Sequence, residues 1–191
     1  MIRSQHDYDE IYQARTWAYG DRPDPELIRA LEGKTRGAAV DLGGGQGRHA
    51  LALAALGFDV ALVDTAKSGL HQAAQEAEER GLHLKIVQQD CKMYAPEGSL
   101  QLAVAALFFH VPAERTSLEA AKRIGEGLET EGMLYLSLPG YTNETHEFAS
   151  RLLRAAGCEQ KWVTKKLVTK KDRPRLPVPR RNETRALGIK V

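Results

Sequence analysis

Residues 40–64, VDLGGGQGRHALALAALGFDVALVD, constrain the fold more than any other stretch of the chain. An apolar run ends in Asp41, and Gly43, Gly44, Gly45 and Gly47 follow almost at once. Alanines and leucines at helical spacing then lead to a second apolar run that ends in Asp64. Strand, tight turn, helix and strand make a βαβ unit, in which the helix crosses over so that the strands lie parallel. The glycine turn lets a ligand approach the backbone, and the helix that follows offers its free N–H groups.

The same alternation continues, which predicts an α/β fold with a parallel sheet covered by helices on both faces. The spacing predicts strands over 38–42, 59–64, 84–89, 100–107 and 133–138, and helices over 46–56, 67–80, 114–128 and 143–156. Gly57, Gly81 and Gly157 fall where left-handed helix ends are expected. Two segments lie outside the pattern. The N-terminal one concentrates Tyr8, Tyr12, Trp17 and Tyr19, then starts a short helix with Asp24 as N-cap and Pro25 as first helical residue. The C-terminal one reads as two strands around a Pro/Arg-rich loop, an edge hairpin whose lysines discourage edge-to-edge pairing.

Length and composition narrow the class. A chain of 191 residues buries one sizeable core, and no linker divides it, so a single domain is expected over 1–191. Its parts are an N-terminal lid and helix segment (1–36), a ligand-binding core (37–140), and a C-terminal helix and hairpin (141–191). Mean hydropathy is −0.41 and no apolar run approaches the roughly 18–20 residues of a membrane span. The polar N-terminus does not read as a secretory signal, so a cytoplasmic protein without membrane contact is expected. Cys91 and Cys158 stand in no ligand or disulfide pattern, and the histidines are scattered, so no metal is expected. Net charge is +2, yet residues 161–185 hold ten Lys/Arg against Asp172 and Glu183.

Two ligand frames fit the glycines. A dinucleotide fingerprint would use Gly45, Gly47 and Ala50, starting late after the strand and leaving Asp41 without a role. The pattern D-x-G-x-G-x-G takes Asp41, Gly43, Gly45 and Gly47 in full. Asp64 and Asp90 close the second and third strands, and three strand-end acids gather at the carboxyl edge, where open α/β sheets bind ligands.

This second frame resembles motif I of the class I S-adenosylmethionine-dependent methyltransferases. With YQARTWAYGDRPDPEL, VQQDCKMY, ALFFHVPAER and GMLYLSLP, the likeness covers nearly the whole chain and is nearest the small bacterial tellurite-resistance (TehB-like) type. It implies a Rossmann-like, seven-stranded, mostly parallel sheet with an antiparallel last strand, S-adenosylmethionine as cofactor and S-adenosylhomocysteine as product. It also implies Arg15, Asp41, Gly43, Gly44, Gly45, Gln46, Gly47, Asp64, Thr65, Asp90, Cys91 and Leu107 around that cofactor. Relatives usually carry Cys or Ala where this chain has Gly44.

Methyl transfer needs an aligned acceptor and exclusion of water. A thiolate or reduced chalcogen needs no base, whereas an alcohol or amine does, and His110 in FFHVP is the candidate. Tyr12, Trp17 and Tyr19 are read as a lid or acceptor wall, with Tyr141 beside them. A small-molecule acceptor is therefore expected, with the protein a monomer or homodimer. Two alternatives remain: a nucleic-acid methyltransferase using the basic hairpin, and a catalytically silent cofactor-binding module. The hairpin lacks the interleaved aromatics of a stacking platform, with Trp162 alone among its lysines, which argues against nucleic acid.

Overall fold

The computed structural model describes residues 5–109, 111–169 and 180–191, and its strands form one seven-stranded sheet. In chain order the elements are α1 (Gln5–Ala14), α2 (Pro25–Ala30), β1 (Ala38–Leu42), α3 (Arg48–Ala55), β2 (Asp59–Asp64), α4 (Lys67–Glu79) and β3 (Lys85–Gln88). Then come β4 (Leu100–Ala106), α5 (Glu114–Gly127), β5 (Leu128–Pro139), α6 (Asn143–Ala155), β6 (Cys158–Thr169) and β7 (Arg180–Lys190). The apolar periods of β1 to β4 and of α3 to α6 are those expected from sequence, with ends within two residues. Gly57, Gly81 and Gly157 take φ of 89°, 65° and 68°, the left-handed region foreseen for helix ends.

Strand order is β3-β2-β1-β4-β5-β7-β6. The chain starts at the centre, winds out to β3, and returns to β4 beside β1, so the crevice at the carboxyl ends of β1 and β4 is a topological switch point. β1 to β5 pair in parallel, while β7 pairs antiparallel with both β5 and β6. Only β6 of the expected edge hairpin is therefore an edge strand; β7 is inserted. The tip of that hairpin, residues 170–179, lies outside the described residues.

Each face of the sheet has its own core. Val40, Leu42 and Leu134 pack under α5 and α6 with Ile124 and Leu152, and Leu62, Val104 and Tyr135 pack on the other face with Leu51 and Leu70. α5 and α6 approach so closely that a Cβ on Gly125 would overlap the Ala156 carbonyl. β5 begins at Leu128 rather than near Met133. Its first residues, Leu-Glu-Thr-Glu-Gly, lack apolar alternation, and they join the sheet through Leu128 opposite Leu100, ahead of a register shift.

Asp24 also departs from expectation. It occupies the N-cap of α2, but its side chain makes no capping bond. The carboxylate turns into the core instead, accepting from Arg48 Nη1 at 3.1 Å, Arg185 Nη2 at 3.2 Å and the Tyr135 hydroxyl at 3.0 Å. Arg185, itself buried on β7, also pairs with Glu26 and Glu183. Burial of such charges is tolerated because each has a partner.

Candidate functional site

The glycine turn is shaped by positive φ at Gly43, Gly45 and Gly47 (65°, 54° and 79°), which side-chain-bearing residues adopt at a cost. It folds back over Asp41. A Cβ on Gly44 would stand 2.6 Å from Asp41 Oδ2 and would overlap Leu62, which accounts for glycine at this position.

Both strand-end acids hold this turn. Asp41 is fully buried, and its Oδ2 accepts from the Ala50 N–H at 3.1 Å in the first turn of α3. Its Oδ1 has no partner among the described residues. Burial raises the Asp41 carboxyl to about 7 against the opposing pull of Arg48. Asp64 accepts from the Gly45 N–H and the Ala66 N–H, both at 2.8 Å, and burial raises it too. The third acid is different: Asp90 is partly exposed, accepts from the Lys92 N–H at 3.0 Å, and pairs with the Lys92 ammonium.

Next to Asp90, Cys91 is buried, with its Sγ donating to the Val63 carbonyl at 3.3 Å. Burial pushes the thiol far up, so it packs rather than reacts. Thr65 is half-buried beside Asp64. Leu107, at the end of β4, takes φ +64° while its N–H bonds to Ser137, a strained backbone facing the switch point.

The N-terminal segment lies over the glycine turn. Tyr12 is buried so close to Gly45 that a Cβ there would overlap its hydroxyl, and its ring also faces Gly69. Burial, then the charge of Asp64, raises its phenol well above the usual value. Tyr19 meets Tyr12 edge-on at 6.2 Å between centroids. Trp17 is buried at φ +55°, and Arg15 is exposed with its carbonyl bound to Gln46. Tyr141 is exposed just before the Thr142 cap of α6. The structure therefore gathers Tyr12, the glycine turn, Asp41 and Asp64 into one constellation, with Asp90 and Cys91 on the neighbouring strand end. His110 lies outside the described residues.

Gln46, expected at the cofactor, stands in the glycine turn and directs its side chain to the N-terminal segment. Motif spacing missed Asp24, Arg48, Tyr135 and Arg185 as one network, whose members stand up to 161 residues apart and share no local signal. A groove of about 390 Å³ opens between α2 and β6, lined by Glu26, Arg29, Ala30, Trp162 and Thr164. None of these is a strand-end acid; those gather at the switch point. Among the described residues no cluster of His, Cys, Asp or Glu could hold a metal, and no helix is long and apolar enough to cross a membrane.

The group that this fold takes can be tested on these residues. Strand-end carboxylates suit sugar hydroxyls and an amino group, the glycine turn leaves backbone free of side chains, and Asp41 keeps a buried acceptor oxygen unused. The donor set fits an adenosyl cofactor with a cationic tail.

Sheet order, glycine turn and strand-end acids define a Rossmann-like class I methyltransferase fold. Residues 39–132 match the family model described as a methyltransferase domain. The matched segment holds the glycine turn and all three strand-end acids, and it supports an enzyme that uses S-adenosylmethionine. Solved structures agree in fold. The N-methyltransferase NodS from Bradyrhizobium japonicum, in complex with S-adenosylhomocysteine, is 13% identical, with a TM-score of 0.76, 98% of this chain and 99% of that one covered. A S-adenosylmethionine-dependent methyltransferase from Methanosarcina mazei is 16% identical at TM-score 0.71, covering 89% and 99%. TehB from Haemophilus influenzae is 16% identical at TM-score 0.71; 88% of this chain is covered, which spans 63% of TehB. A search of curated proteins finds no match.

Proposed function

We propose that this enzyme methylates a small-molecule acceptor, the cofactor lying across the carboxyl ends of β1, β2 and β3. The observation that carries this reading is that the strand-end acids hold the glycine turn and the helix it opens, Gly45 N–H to Asp64 and Ala50 N–H at the start of α3 to Asp41. Asp64 then receives the ribose hydroxyls, and Asp90 with the Cys91 N–H receives the adenine. Gly43 to Gly47 pass beneath the methionine end, where Thr65, Leu107 and Arg15 complete the surroundings.

The bound cofactor supplies a methyl group already activated by its sulfonium. The protein's part is alignment and dryness. Tyr12, Trp17 and Tyr19 close the N-terminal side, and Tyr141 borders the acceptor. An acceptor bearing a proton gives it to His110, while a thiolate or chalcogen anion needs no base. The TehB-like assignment and a cytoplasmic site of action belong to the same proposal.

Calorimetric titration with S-adenosylmethionine and S-adenosylhomocysteine tests it. Saturable binding of both is expected, weakened in Asp64→Ala by about 1.5–3 kcal/mol through loss of charge-assisted hydrogen bonds. A folded protein that binds neither would end the proposal.

A further inference from the structure

Gln46 lies between two left-handed glycines of the turn and is almost fully buried, yet its amide points away from the strand-end acids. Its Oε1 accepts from the Ala18 N–H at 2.7 Å, and its Nε2 donates to the Arg15 carbonyl at 2.8 Å. The same Nε2 donates to Gln72 Oε1 on α4, whose own Nε2 donates to the Tyr12 carbonyl at 2.7 Å. Every bond in this relay has one donor and one acceptor, and flipping the Gln46 amide would set donor against donor and acceptor against acceptor. On the far side of Gly47, Arg48 Nη1 donates to the Arg22 carbonyl at 3.3 Å. The two residues flanking Gly47 thus grip both ends of the aromatic turn that carries Trp17 and Tyr19.

We propose that Gln46 is a positioning residue that couples cofactor occupancy of the glycine turn to the aromatic turn, so that the acceptor wall forms on the cofactor-loaded protein and cofactor binds first. Glutamine alone serves here. Glutamate cannot donate to Arg15 and Gln72, and asparagine is one methylene short. Because the turn and the loop share directional bonds inside a buried region, a shift of the loop on ligand contact is passed to the Trp17 backbone rather than absorbed by water. The inference rests on the cofactor reading of the glycine turn.

The test uses the full chain with Trp162→Phe, which leaves Trp17 as the sole indole reporter. S-adenosylhomocysteine is titrated while heat and Trp17 emission are recorded. The expected result is a change in emission with the same midpoint as the heat. In Gln46→Ala on this background the heat persists, with Kd weakened by no more than about tenfold, while the emission change falls about fivefold or more. Gln72→Ala, outside the glycine turn, should reduce it in the same direction and serves if Gln46→Ala does not fold. Full emission change in a variant that binds would overturn the coupling, as would heat without emission change in the parent. Absence of heat in the parent would instead fell the cofactor reading, because calorimetry does not depend on Trp17.

Discussion

Asp41 is a fully buried carboxylic acid, with Ala50 on one oxygen and no partner among the described residues on the other. Burial lifts it from an ordinary value of 3.8 to about 7; Arg48 pulls it down, and Asp64 and Asp24 push it further up. The folded chain therefore keeps a proton that the unfolded chain has already released, and over that range stability declines as pH rises. Asp64 is raised as well, so its contribution has the same sign. Asp41→Asn keeps an acceptor for Ala50 but cannot ionise. Thermal melts from pH 4 to 8 should show the unsubstituted protein losing stability relative to this variant, at up to about 1.4 kcal/mol per pH unit. A flat difference would mean that Asp41 ionises normally. Motif spacing revealed Asp41, Asp64 and the glycines because that chemistry is carried by residue type at a strand end. The Gln46 amide was illegible as a clamp, since its partners stand 28 and 31 residues away and are backbone atoms.

At the scale of elements, caps come from unexpected places. Asp24 sits at the start of α2 but gives its carboxylate to Arg48, Arg185 and Tyr135, a choice that depends on β5 and β7 and has no local sequence signal. Asp24→Asn should cost about 3–5 kcal/mol in denaturant unfolding, because it removes the buried negative charge that Arg48 and Arg185 share. Tyr135→Phe removes one neutral donor and should cost about 0.5–1.5 kcal/mol by the same measurement. Equal losses would show that charge is not what the network holds together. α4 borrows its cap instead: Ala66 offers no side-chain bond, and Asp9 on α1 accepts from the Ser68 N–H at 2.8 Å. Asp9→Ala should then lower stability by about 0.5–2 kcal/mol and speed hydrogen exchange in the first turn of α4, whose N–H group it caps. The helices and inner strands were legible from periodicity. The early start of β5 was not, because Glu129, Thr130 and Glu131 are polar and Glu131 takes φ +65°.

For the whole molecule, β7 decides closure. It fills the gap between β5 and β6, places Ala186 and Leu187 in the two cores, and brings Arg185 to Asp24. Removing residues 180–191 should leave a chain without a cooperative thermal transition by circular dichroism, while a mere edge strand would give a shifted but sharp one. The basic composition of this region pointed to an exposed hairpin; pairing on both sides is a tertiary fact that composition does not carry.

The placement of β7 also bears on biosynthesis. Ribosomes release a chain from its N-terminus, and domains generally take shape in that direction. Here the glycine turn, its acids and Arg48 emerge before β7, so Arg185 joins Arg48 on Asp24 only later in synthesis. Until β7 emerges, the nascent protein thus carries a core short of one cation and an unzipped flank on β5, and the pairing of β7 on both sides closes both at once.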